Sequence, residues 1–433
     1  MQDFIKVALP REYNLVVGDV FQLFYRGVVE APDPFYYDIV ASCEKGKNYP
    51  RYFEFLPEEE GVFELLIAVY DANKNLLGSA VTKLNVKKPV KPAKEVNILA
   101  IGDSLTAGGE WVGECNRRIS KKDGLPQGLG IDNVNFIGTC ERNGVCFEGY
   151  GGWEWKNFLL PAEQAFSAVW IECKHNKNES DQHSLWVDEG GNPWQLETIE
   201  EDRIKLNRLF RRYGAPKPEK KLSHSDNAKH REDIIIKSSY YAVKNPFYNE
   251  ETESVDLKNY CEKNNFSGID FVYILLGWNG LLSKEKSREE QCRAICEEGK
   301  QLVYHIHKAY PDSKIRIVGL QIPSVNGGIA ANYGATLPQC DDYGTTKYVL
   351  ELNRAYEKWT LEDEYKDYMK FINLSGQFDS DNNMPSEEKC VNVRSNKKEI
   401  VGTNGVHPAI EGYMQIADAV FRSIVCDLAE MTE

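Results

Sequence analysis

The sequence predicts an α/β domain with a central parallel sheet covered on both faces, preceded by a small all-β sandwich. Three observations carry this. Residues 1–88 hold strand-like segments with turn residues between them and no helical period. Residues 89–95, rich in lysine and proline, then read as a stiff, solvated linker. From Val96 to the end, residue 433, short apolar runs alternate with amphipathic stretches, the pattern of buried parallel strands joined by helices.

Each element follows in chain order. Residues 20–25 are rich in aromatic and β-branched residues. Residues 63–70 read as another strand, Asp71, Asn73 and Asn75 as a turn, and residues 76–86 as the returning strand. Residues 96–101 form a wholly apolar run but for Asn97, ending in Gly102, and open the parallel sheet. Similar runs lie at 271–276 and 315–320, with a shorter one at Phe371 and Ile372. Residues 288–309 read as a helix with Cys292, Ile295, Cys296, Leu302, Val303 and Ile306 on one face, stopped before Pro311. The last helix spans about 409–428. Residues 165–242 break the alternation. Within them 184–196 read as a hairpin, 204–209 as a further strand, and 217–230 as a polar, breaker-rich stretch. We read this as a β-rich insertion in the α/β domain.

Composition excludes several classes. With 42% apolar and 27% charged residues, the 433-residue chain is globular in kind. Its 52 lysines and arginines against 66 acids give a net charge of −14, which argues against nucleic acid and membrane as partners. The 11 cysteines are odd in number, with no pair spaced as CxxC, so they suit a reducing compartment. With no basic, apolar leader visible, the expected location is cytoplasmic. A secreted chain trimmed of its signal would read the same.

The chemistry centres on two residues. Ser104 is the one serine with glycine two positions before it, in Gly102-Asp103-Ser104-Leu105. It lacks the second glycine of a GxSxG elbow. It follows the first parallel strand and precedes a helix containing Trp111, so it sits where open α/β sheets place their sites. It also reads as a plain helix N-cap. Among seven histidines, His305 and His307 lie on the 288–309 helix, and His175, His183, His224 and His230 lie in the insertion. None heads an HExxH, and no metal or other cofactor is expected. His407 stands apart, in a loop directly before the last helix.

Gly102-Asp103-Ser104-Leu105 and Gly405-Val406-His407-Pro408 resemble the two ends of the SGNH, or GDSL, hydrolase family. Glu148 to Trp153 resembles its glycine block, with Gly152 the match. Leu276-Gly277-Trp278-Asn279-Gly280 resembles its asparagine block, with Asn279 the match. The four blocks stand in family order over roughly residues 96–428. The resemblance implies a flavodoxin-like three-layer fold and serine esterase chemistry. It makes Ser104 the nucleophile and His407 the base. It places the oxyanion on the Ser104 and Gly152 N–H groups and the Asn279 amide.

The chain departs from the family in two places. Asn404 stands where the family has an aspartate three residues before the histidine, and Gly280 follows Asn279 in place of an aspartate. Asn404 is expected to orient His407 by accepting its Nδ1–H. Asp379 or Asp381 is an alternative source of charge. Trp153, Trp155 and Trp278 flank the proposed site, and Trp153 and Trp278 are expected to stack on sugar rings. The resemblance implies small acyl esters, acetyl on carbohydrate above all, as the small-molecule or glycan substrate. The competing readings are a non-catalytic glycan-binding or scaffold protein on the same fold, and a thioesterase or lysophospholipase.

Overall fold

The computed structural model describes residues 5–173, 234–281, 287–333 and 342–432. The hairpin, strand and polar stretch expected within 184–230 lie outside the described residues, as do His175, His183, His224 and His230. The chain divides into one unit of Met1–Trp155 with Asp256–Glu433, and a second of Lys156–Val255.

The amino-terminal part of the first unit is two facing sheets. Glu12–Val16, Leu76–Lys87, Gly61–Tyr70 and Asp38–Ser42 form one in that order, and Phe21–Phe24, Tyr52–Phe55 and Lys47–Asn48 form the other. Alternation drives the packing. Phe63, Leu65, Ile67 and Val69 point into a shared core, while Val62 and Glu64 face water. Tyr13 meets Phe21 at 5.2 Å and Phe55 meets Phe63 at 5.3 Å between ring centres, so the core is continuous across the two sheets.

Beyond it lies the parallel sheet. Val96–Gly102 is flanked on one side by Val134–Ile137 and Val145–Gly149, and on the other by Phe271–Leu275, Lys314–Val318 and Met369–Ile372 in turn. Counted by connection, this is the order 2-1-3-4-5 of a doubly wound fold, whose ligand crevice opens beyond the first and third strands. Every residue of Phe271–Leu275 is buried, which requires cover on both faces. Helix Arg288–Ala309 supplies part of that cover, and all six residues expected on its inner face are buried. Ser287 and Glu290 close its start as a reciprocal capping box. Val134–Ile137 and Val145–Gly149 were not read as strands from the sequence. They are short, and their burial alternates irregularly.

Helix Ile410–Glu430 is buried almost all round over its last three turns. One flank meets Glu110–Ser120, and Glu12–Val16 of the sandwich covers another. Charge fixes this seam. Asp19 binds Arg118 at 2.5 Å and Arg422 at 2.6 Å, and Arg118 also binds Asp418 at 2.6 Å. Burial pushes the Asp19 carboxyl up, but the Arg422 and Arg118 guanidiniums outweigh it and hold the group below its usual range.

In the second unit, Ala162–Cys173 pairs antiparallel with Ile234–Lys244 along nearly its whole length. Just past this ladder, Asn245 Nδ2 donates to the Phe158 and Leu160 carbonyls, at 2.7 and 2.9 Å.

Candidate active site

The strand register levels the site's supports. Gly102 pairs with Gly149 on one side and with Leu275 on the other, so three strands end together. The chain turns sharply after Gly102. A Cβ there would stand 2.0 Å from Thr106 Oγ1 and 2.9 Å from the Leu275 carbonyl, so only glycine fits. Asp103, not Ser104, is the cap of the one-turn helix Ser104–Ala107, and its Oδ1 accepts from Leu105 N at 3.0 Å. The plain N-cap reading of Ser104 is thereby replaced. Ser104 is the first helical residue, and that position's N–H has no partner within the helix.

His407 Nε2 lies 2.8 Å from Ser104 Oγ, although 303 residues separate them. Burial lowers the His407 pKa from its usual 6.5. The ring is therefore neutral at pH 7, as a proton acceptor must be.

Asn404 does not do what the sequence suggested. Its Oδ1 accepts from Val406 N and His407 N, at 2.9 Å each. Both lone pairs are thus spent on backbone in a tight Asx turn. Among the described residues, Ser104 Oγ is the one hydrogen-bond partner of the His407 ring. The two aspartates are engaged elsewhere. Asp379 and Asp381 pair with Arg51 of the sandwich at 2.5 and 3.2 Å, and Asp381 also pairs with Arg26 at 2.8 Å.

Gly152 has φ +82°, a backbone state that glycine adopts freely and side chains resist. Its turn is held from behind. Tyr150 N donates to the Gly102 carbonyl at 3.1 Å, and Tyr150 OH donates to Glu148 at 2.6 Å. Glu148 is wholly buried and also accepts from Thr139 and from Tyr260 OH.

Asn279 joins the blocks. Its Nδ2 donates to the Trp153 carbonyl at 3.0 Å and to Asp103 Oδ2 at 3.3 Å. The expected free oxyanion donor therefore has both its hydrogens turned toward protein acceptors, and a substrate oxygen has to share one of them. Asp103 is buried, with no cation beside it among the described residues. Desolvation lifts its carboxyl to about 7, against the bonds from Leu105 N and its own backbone.

The tryptophans correct another expectation. Trp153 is 3% exposed and Trp278 1%, so neither offers a face to a sugar. Trp153 stacks on Tyr150 with ring centres 4.2 Å apart, and Trp278 Nε1 donates to Gln321 Oε1 at 3.3 Å. Trp155 is equally buried and donates to Tyr356 OH. Their area is spent packing the supports of the site.

Three residues here had no role in the sequence reading: Asp103, Glu148 and Gln321. Gln321 carried a usable signal, because it is a polar residue just past a buried strand, as Ser104 and Asn279 are. Glu148 carried none, since a buried glutamate looks like a surface one in sequence.

No protein-family model matches the chain, and no curated protein matches it. Among solved structures it is similar to a carbohydrate esterase family 3 protein from Talaromyces cellulolyticus. That match has 12% identity over 77% of this chain and 99% of the other, with a TM-score of 0.35. A family 3 carbohydrate esterase from Clostridium thermocellum gives 13%, 78%, 100% and 0.37. A family 2 carbohydrate esterase with a carbohydrate-binding domain, from Corynascus thermopiles, gives 10%, 98%, 93% and 0.29. At TM-scores this low, the reading of the site rests on this chain's own geometry.

Proposed function

We propose that the chain is a serine esterase acting on small acyl esters by a Ser104–His407 pair. The observation that carries this is the 2.8 Å contact between His407 Nε2 and Ser104 Oγ, set beyond the ends of the first and third strands. In this reading Ser104 Oγ attacks the acyl carbon while its proton passes to His407 Nε2. The alcohol then leaves with that proton, and the acyl group stays on Ser104. Water repeats the sequence, releasing the acid and restoring the serine. The Ser104 and Gly152 N–H groups hold the oxyanion. Among the described residues neither is bonded to an acceptor. Asn279 assists by sharing one of its hydrogens.

The family resemblance puts acetyl esters of carbohydrate first among the substrates to test. The buried tryptophans lend that choice no support, so the sugar would be held by other groups. The test is hydrolysis of a short-chain aryl acetate together with labelling by a serine-reactive phosphonate. Ser104→Ala is expected to abolish labelling and cut turnover by about 10⁴ or more. Full activity in that variant would sink the proposal.

One observation favours a second reading. With no acceptor on His407 Nδ1 among the described residues, a non-catalytic protein on the same fold would look alike at this site. A wild-type chain that takes no phosphonate on Ser104 would favour it.

A further inference from the structure

With no acceptor on Nδ1 among the described residues, a base histidine must get its orientation from somewhere else. In this chain the candidates lie in the backbone that carries it. The peptide unit between Val406 and His407 is bonded at both ends. Its N–H, on His407, donates to Asn404 Oδ1 at 2.9 Å, and its carbonyl, on Val406, accepts from Gln321 Nε2 at 2.8 Å. One peptide unit earlier, the Gly405 carbonyl accepts from Ser324 N at 3.3 Å. Pro408 follows the histidine directly and limits its backbone to extended states. The peptide plane that sets the His407 Cα–Cβ direction is thus fixed by two side-chain amides.

Gln321 does more than close this clamp. It is 0% exposed, and its Oε1 accepts from Trp278 Nε1 at 3.3 Å. Trp278 adjoins Asn279, which binds the Asp103 carboxyl and the Trp153 carbonyl. One buried amide therefore ties the loop of the base to the block of the oxyanion donor. An amide suits this task because it presents one donor and one acceptor to two fixed, opposite partners. A carboxylate offers only acceptors, and a hydrocarbon offers neither.

We propose that Gln321 is a positioning residue for the Ser104–His407 pair, orienting the histidine through the Val406–His407 peptide in place of a partner on Nδ1. This rests on the esterase reading above. The inference concerns turnover and not substrate capture. A misplacement of the base of about 1 Å costs on the order of 10²-fold in rate.

The test uses the full chain with Gln321→Ala and Gln321→Glu, each first shown folded by circular dichroism at the assay temperature. Phosphonate labelling of Ser104 and aryl acetate kinetics are then compared with wild type. Gln321→Ala is expected to lower kcat and the labelling rate by about 10- to 100-fold with KM within about twofold. Gln321→Glu keeps the acceptor for Trp278, and in its protonated form donates to the Val406 carbonyl. Its activity is expected to fall as pH rises through the ionisation of that buried carboxyl, a limb wild type lacks. If Gln321→Ala does not fold, the pH profile of Gln321→Glu decides alone.

Wild-type rates of labelling in Gln321→Ala overturn the inference and leave the esterase reading standing. So does a Gln321→Glu profile that superimposes on wild type. Absence of labelling in wild type itself overturns the esterase reading, and the inference with it.

Discussion

The seam under helix Ile410–Glu430 and the crevice above Gly102 both bury charge, and they handle it in opposite ways. At the seam every carboxylate meets a guanidinium. Asp19 has two, and its pKa is held down, while Asp418 has one and burial still raises its pKa. In the crevice the Asp103 carboxylate meets N–H donors alone among the described residues, and its pKa rises to about 7. His407 likewise has no carboxylate on its ring among the described residues, and its pKa falls. Pairing with two opposite charges, as at Asp19, locks a protonation state. Desolvation without a pair moves the group toward neutrality, where protons can be exchanged. The seam is built for stability, and the crevice keeps groups that titrate.

The largest effect that would break this comparison belongs to the seam. Asp19→Ala leaves Arg118 and Arg422 without their shared partner and is expected to cost about 3 kcal/mol or more. Denaturant unfolding measures it. Activity per folded molecule should not change. The Asp19 pKa is lower folded than its unfolded value near 3.8, so this stabilisation is present above about pH 4. It is lost as pH falls through the lower folded value. A wild-type chain whose stability is flat across that window would contradict the pairing.

The crevice predicts a pH effect of intermediate size. Only neutral His407 can accept the Ser104 proton, and burial lowers its pKa below 6.5. Aryl acetate kcat/KM should therefore fall on the acid side with a midpoint below pH 6.5. A midpoint above 6.5 that survives Asp103→Asn would mean that a carboxylate faces the ring after all.

The smallest effect sharpens the role of Asn404. An aspartate placed there would still accept from Val406 N and His407 N, because the turn and not the charge sets its direction. Asn404→Asp is expected to change kcat by less than about tenfold, far below the roughly 10⁴ seen when an acid-bearing triad loses its charge. A large gain would show that the side chain can leave the turn and reach Nδ1.

Much of the fold was legible because burial writes a period into sequence. Arg288–Ala309 shows its buried stripe, and Phe271–Leu275 its unbroken apolar run. Val134–Ile137 and Val145–Gly149 were missed because short strands with irregular burial carry too little period. Within the site, the residue types were legible, since a turn that needs glycine and a serine after a strand are local facts. Their partners were not. Nothing near Asn404 tells that its oxygen turns to its own backbone, and nothing near Trp278 tells that Gln321 will receive its N–H.

By itself the sequence determined the strongly periodic strands and helices and the four blocks that carry Ser104, Gly152, Asn279 and His407. Those follow from side-chain pattern and backbone permissiveness, which act over a few residues. Tertiary structure alone decided which groups face each other. It gave Asp379 and Asp381 to Arg51, with Arg26 adding to Asp381, closed Trp153 and Trp278 into the interior, and set Gln321 between the base and the oxyanion block. Hydrogen bonds and ion pairs are settled by contacts between residues up to hundreds of positions apart, and only the folded chain brings those together.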